Sequence, residues 1–188
     1  KATIVTVSSA YLEESIRPER LDVLLVPNGV AYEDFATERD RDSRISRESA
    51  PRSEGFQHTV VYAGALAPWF DWDLVAKGAD AHPDVLFLLV GPLMGDDPTG
   101  DSHFEESKVT PEELFQRSNV RWIGQQPYNE LPTYLRMSTA AMIPFKVNAI
   151  TRAVSPVKLF EYAATGSPTI STDLPECGRE GLAVVCCN

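Results

Sequence analysis

The chain has 188 residues, 43% of them hydrophobic and 23% charged, with a formal net charge of −10. That is room for one good core, or for one domain with part of another, in an ordinary globular composition. The acidic balance argues against nucleic acid as a partner, because such binders present a basic face.

In chain order, "ATIVTVSS" is β-branched and apolar and reads as a buried strand. "AYLEESIRPERL" has weak helical character, and "DVLLVPNGV" is a second apolar run closed by the turn pair Asn28-Gly29. From about Glu33 to Gly55 the pattern gives way to alternating charges around a single aromatic, Phe35, which reads as a solvated linker with little fixed structure. Order returns at "HTVVYAG", a strand ending on Gly64, and "PWFDWDLVAKGADAH" places Trp69, Trp72, Val75 and Ala76 at helical spacing.

"DVLFLLVGP" is a further buried strand, followed by the polar loop "MGDDPTGDSHFEES" and the helix start "TPEELFQRS". "NVRWIG" is a short strand, "PYNELPTYLRMS" a short helix, "AAMIPF" a strand, "SPVKLFEYAAT" a helix, and "SPTIST" and "LAVVC" the last two strands. Short apolar strands alternating with helices predict an α/β fold, a Rossmann-like doubly wound parallel sheet covered on both faces. Ligands of such sheets bind at the carboxyl ends of the strands. Here those ends are Gly64, Gly91, Gly124 and the loop "PFKVNAITRAVSP".

One helix starts against expectation. In "SPVKLFEYAATG" Ser155 suits the N-cap, Pro156 the first helical position, and Gly166 the end. Lys158 then falls in the first turn, where the helix dipole costs a cation a few tenths of a kcal/mol. Arg152 lies just upstream. An anion at the helix N-terminus would relieve both, and the free N–H groups there already favour phosphate. Glu161, one turn on, shares a face with Lys158 and suits hydrogen bonds from a diol such as a ribose. The alternative is that Lys158 and Glu161 form an (i, i+3) surface ion pair and Arg152 is a loop charge.

The series "VPNGV", "VYAGALAPWFDWDLV", "HPDVLFLLVGP", "NVRWIGQQPYNELPTYLRMSTAAMIPF" and "ITRAVSPVKLFEYAATGSPTISTDLPE" resembles the GT-B glycosyltransferases, and most of all the bacterial branch of the group-one family that builds surface polysaccharides. The resemblance is continuous over about residues 57–185 and weaker over 1–35. It implies two facing Rossmann-like domains, the first for the acceptor and the second for a nucleotide-diphosphate sugar. Residues 1–35 would end the acceptor-side domain, 36–56 would be a flexible charged linker, and 57–188 would be most of the donor domain, truncated at its C-terminus.

By the same resemblance Lys158 and Arg152 meet the diphosphate, Glu161 holds the ribose hydroxyls, and Gly64 lies where the backbone approaches the donor. Phe145 either packs near the nucleotide or caps the core. The implied activity is a hexosyltransferase type of sugar transfer, in polysaccharide biosynthesis, to a glycan or lipid-linked acceptor. It would use no cofactor and require no metal. The acceptor base is expected outside this chain, so the chain alone is expected to be inactive. The implied location is cytoplasmic, at the cytoplasmic face of the inner membrane if the full-length protein associates peripherally with it. A GT-B nucleotide-sugar 2-epimerase, or a non-catalytic nucleotide-binding or scaffold module, would share these features.

Two departures stand out. The mainstream family carries a Glu-x7-Glu pair, but eight residues before Glu161 stands Ala153. Many members also have a basic residue soon after the glycine turn, where this chain has "APWFDWD". The Trp69-Phe70-Asp71 cluster is a candidate substitute, with Trp69 and Trp72 as core residues the alternative.

Other candidates weigh less. Asp96, Asp97 and Asp101 read as a solvated acidic loop, since no histidine or rigid geometry supports a metal. His82 before Pro83 reads as structural or exposed. The missing GxG-type fingerprint after Gly64 argues against a nicotinamide enzyme. Cys177, Cys186 and Cys187 make an odd number without metal-ligand spacing, which suits a reducing cytosol. Cys177 has no base in sequence reach to make it a nucleophile. No apolar run approaches the roughly 20 residues that span a bilayer, and residues 1–20 do not read as a signal peptide. Starting at Lys1 and ending after "GLAVVCCN", the chain reads as a piece of a longer protein.

Overall fold

The computed structural model describes residues 3–19, 22–36, 55–95, 107–179 and 181–186. Two parallel sheets result. The smaller pairs β1 (Val5–Val7) with β2 (Val23–Leu25), joined through α1 (Ala10–Ile16). Ser9 starts α1 by accepting the Leu12 N–H at 3.2 Å, the usual answer to an unpaired amide in a first turn. The larger sheet has six strands in the order β5-β4-β3-β6-β7-β8. These are β3 (His58–Ala63), β4 (Val85–Val90), β5 (Val120–Trp122), β6 (Ala140–Ile143), β7 (Thr169–Thr172) and β8 (Val184–Cys186). All neighbouring pairs are parallel, so every carboxyl end lies on one rim.

The sequence pattern explains these elements. The unbroken apolar run of β4 is buried from Leu86 to Val90, as a central parallel strand covered on both faces requires. α3 (Trp72–Ala81) begins where Asp71 accepts the Leu74 N–H at 2.9 Å. α4 (Pro111–Phe115) has a full capping box between Thr110 and Glu113. A 3-10 turn (Tyr128–Glu130) leads into α5 (Leu131–Met137). α7 (Val157–Ala164) ends in a Schellman motif, with Gly166 N–H on the Ala163 carbonyl at 3.0 Å and Ser167 N–H on the Tyr162 carbonyl at 3.1 Å.

Several expectations change. The loop after β6 contains a short helix, α6 (Ala149–Arg152), capped by Asn148 and Thr151. Another, α8 (Pro175–Arg179), precedes β8. Asn28-Gly29 does not form a turn; instead the Asn28 amide donates to the Ser155 carbonyl at 2.7 Å.

Phe35 is not solvated. It lies on α2 (Tyr32–Ala36), is fully buried, and joins the main core. Its ring meets Tyr128 edge-on, centroids 5.3 Å apart, and Arg136 Nη1 donates to its carbonyl at 2.9 Å. The local charges set the expectation, but one large aromatic gains more from burial than its backbone loses. Most of the charged stretch after Phe35, the acidic triad Asp96, Asp97 and Asp101, and Cys187 lie outside the described residues.

Candidate functional site

The strand order reverses direction between β3 and β6, the switch point at which doubly wound sheets bind ligands. The ladder itself opens there. β3 and β4 stay paired through Ala63 and Val90, but β3 and β6 pair only at Val60–Ala140 and Val61–Ala141. Beyond Val61, Tyr162 of α7 takes over from the missing strand. Its hydroxyl accepts the Ala63 N–H at 2.9 Å and lies 3.2 Å from the Ala63 carbonyl oxygen. A buried backbone pair would otherwise stand unpaired at the cost of about 1–3 kcal/mol. Tyr162 thereby ties α7 to the last residue before Gly64.

Lys158 comes off the first turn of the same helix and reaches across to that turn. Its Nζ lies 5.4 Å above the centre of the Tyr62 ring, and its tip fills the space a Cβ on Gly64 would occupy. Tyr62 is held in turn by its hydroxyl, which donates to the Ala65 carbonyl at 2.7 Å. Burial pushes the Lys158 ammonium below the usual lysine range, while the Glu161 carboxylate works the other way. Lys158 is therefore a partly dried cation beside free helical N–H groups. That arrangement stabilises an anion more than a fully solvated lysine would.

The helix starts one residue later than its sequence suggests. Pro156 occupies the N-cap with no side-chain bond, and Ser155 is buried with its carbonyl bound by Asn28. Asn28 lies at the far end of the β2 segment, so an inter-segment bond replaces the local cap. Ser9, between β1 and α1, behaves alike and donates to the Ala153 carbonyl at 2.7 Å. The position where a first glutamate was expected is thus a backbone anchor.

Glu161 is buried and accepts the Tyr128 hydroxyl at 2.9 Å. Among the described residues no ion pair joins it to Lys158, so the two do not form a surface pair. Arg152 ends α6 half-buried, and its guanidinium makes no hydrogen bond or ion pair among the described residues.

Phe145 is buried, edge-on to Tyr62 and Trp69 with centroids at 6.4 and 6.5 Å, and its carbonyl accepts Thr172 Oγ1 at 2.8 Å. It sits under the site as a core residue. The segment after Gly64 is stitched to the segment after β6, Asp71 N–H to the Pro144 carbonyl and Lys146 N–H to the Trp69 carbonyl, both at 2.8 Å. Within that segment Phe70 is fully buried and Asp71 caps α3, so neither is free to replace the absent glutamate. Trp72 is buried in the core and Trp69 packs against it.

His82 is exposed at the end of α3, where its carbonyl accepts the Asn119 amide at 3.1 Å. Cys177 is buried as a free thiol, and burial pushes its pKa up, against a role as nucleophile. Among the described residues no group of three His, Cys, Asp or Glu side chains could hold a metal, and no helix is long and apolar enough to cross a membrane.

Sequence reasoning missed Tyr128, Tyr162 and the anchors Ser9 and Asn28. Their bonds span from 33 to 144 residues, and no local spacing signals them.

The chain is similar to known proteins in sequence and in fold. The family model described as "Glycosyl transferases group 1" matches residues 46–181. TuaH of Bacillus subtilis (strain 168), provisionally named a teichuronic acid biosynthesis glycosyltransferase, is 31% identical over 183 residues, 95% of this chain and 42% of its own length. The chain therefore spans less than half of that relative. Among solved structures, Anabaena Alr3699/HepE in complex with UDP and glucose superposes with a TM-score of 0.68 at 16% identity, over 99% of this chain and 50% of that one. Sucrose-phosphate synthase from Thermosynechococcus elongatus gives 0.70 at 18% identity, over 98% of this chain and 45% of that one. At such identities the structural likeness speaks for the fold, and none of these relatives is named as an epimerase.

Proposed function

Since this chain belongs to the group 1 glycosyl transferases, we propose that it is the donor-binding part of an enzyme moving a sugar from a nucleotide diphosphate to a glycan or lipid-linked acceptor in polysaccharide biosynthesis. The observation that carries the reading is the placement of Lys158. A cation in the first turn of α7, folded against Gly64 at the switch point, is unfavourable unless an anion joins it. A diphosphate supplies that anion.

In this reading Lys158, the N–H groups of α7 and Arg152 oppose the negative charge that grows on the diphosphate as the glycosidic bond to it breaks. The protein's own cations then do what a bound metal does in other sites. Glu161 receives the ribose hydroxyls, and Gly64 lets the donor approach the backbone. The group that takes the acceptor's proton is assigned to no residue of this chain. Support for a saccharide acceptor comes from the name of TuaH, and a cytoplasmic place, with peripheral association at the membrane, fits such an acceptor.

Calorimetric titration of the chain with UDP, GDP and ADP tests this. One diphosphate should bind, and Lys158→Ala should weaken it by about 1–3 kcal/mol. Equal binding by the parent and the variant removes Lys158 from the site, and none by any nucleotide removes the reading and leaves a scaffold module.

A further inference from the structure

The Glu161 carboxylate is oriented from outside its own helix. Tyr128 donates to Oε1 at 2.9 Å from the 3-10 turn that follows Pro127, and it is the hydroxyl that reaches this buried acid. The turn fixes the Tyr128 backbone, and Phe35 fixes its ring, edge-on at 72° with centroids 5.3 Å apart. Phe35 is itself fully buried and bonded through its carbonyl to Arg136. Burial, and then the Glu161 charge, push the Tyr128 phenol up to about 12, so it remains a donor across the neutral range.

A carboxylate offers two oxygens and about four acceptor sites. Tyr128 engages one oxygen, and among the described residues no hydrogen bond reaches Oε2. A carboxylate pinned at one oxygen has lost the rotation that would otherwise be frozen when a ligand binds.

We propose that Tyr128, backed by Phe35, is a positioning residue that aims Glu161 Oε2 at the two hydroxyls of a nucleotide's ribose. The inference rests on the donor-binding reading above and adds to it the group that sets the geometry of the acid. It also makes α2, which arrives from the smaller sheet, part of the donor site's support. A competing role is that the Tyr128 hydroxyl stands in for a ribose hydroxyl and is displaced by it; the two predict opposite signs.

The test uses Tyr128→Phe, which keeps the ring on Phe35 and removes only the exposed side chain's hydroxyl. The full chain is titrated with the diphosphate that binds best among UDP, GDP and ADP, and with its 2′,3′-dideoxy counterpart. Tyr128→Phe should weaken the ribonucleotide about five- to tenfold and leave the dideoxy nucleotide within about twofold. Glu161→Ala should show the same diol-dependent loss or a larger one. In the Glu161→Ala background the second substitution should then add nothing.

Equal losses for both nucleotides would make Tyr128 merely structural, and tighter ribonucleotide binding would make it a competitor; either overturns the proposal. If Glu161→Ala loses affinity diol-dependently while Tyr128→Phe does not, the proposal alone fails. If Glu161→Ala shows no diol-dependent loss, the ribose role of Glu161 fails first, and the proposal falls with it.

Discussion

Gly64 and Gly91 close neighbouring strands with nearly the same backbone, φ +152° and +148°, a region side chains rarely enter. What surrounds them differs. A Cβ on Gly91 would run into the carbonyl group of Gly64, which cannot move without breaking the pairing of β3 with β4. A Cβ on Gly64 would first meet the tip of Lys158, the far end of a flexible chain. Gly91 is demanded by the fold. Gly64 is demanded by the Lys158 side chain packed on it, and a lysine free to withdraw would leave only the torsion angle against alanine there. Two glycines alike in torsion angle thus separate into one held by backbone and one held by a flexible side chain.

Three measurements would break or sharpen that contrast. The largest effect is expected from Gly91→Ala, where strain and a backbone overlap combine to cost at least about 4 kcal/mol of stability in urea denaturation. A loss below about 1 kcal/mol would mean that the backbone at Gly64 yields and the contrast is void.

Gly64→Ala should cost only about 1–3 kcal/mol of stability, from the torsion angle. It should also weaken diphosphate binding about tenfold or more by pushing Lys158 aside. In a Lys158→Ala background that binding loss should vanish, whereas the stability cost of Gly91→Ala should be the same in both backgrounds. Additive binding losses would separate Gly64 from Lys158.

The smallest effect concerns pH. Because burial lowers the Lys158 pKa from its ordinary 10.5, the unfolded chain binds more protons at this residue between the two values. Its contribution to stability should therefore rise with pH through that window. Subtracting the profile of Lys158→Ala isolates it, since Tyr62, Tyr128 and Tyr162, with raised pKa values, act in the opposite sense at high pH. A flat difference would mean that Lys158 is as well solvated as a surface lysine.

Much of this was legible in the sequence, and the limits have physical causes. The strands of the larger sheet were readable because parallel strands buried on both faces appear as continuous apolar runs ended by Gly or Pro. α7 was readable from its apolar spacing and from Gly166, although its start was off by one because Asn28, not a local cap, settles Ser155. α6 and α8 have four and five residues, too few to show a period. The signal that could have found α6 is the capping pair Asn148 and Thr151. Phe35 was hidden by its charged neighbours. Lys158, Glu161 and Gly64 stood out because each breaks a local rule, whereas Tyr128 and Tyr162 break none, and their meaning lies in distant partners.

The bond between Tyr162 and Ala63 also says something about time. It joins residues 99 apart in the chain, and it completes the side of the β3 end that β6 leaves open. Contacts of such separation form late, after the loop between them has closed. While the chain emerges from the ribosome, β3 and β4 can pair as soon as Val90 is out, yet the Gly64 turn stays unbraced until α7 follows. The turn at which we propose that the donor binds is therefore among the last features to mature, and a nascent chain stopped short of Tyr162 would own most of its sheet and an unbraced Gly64 turn.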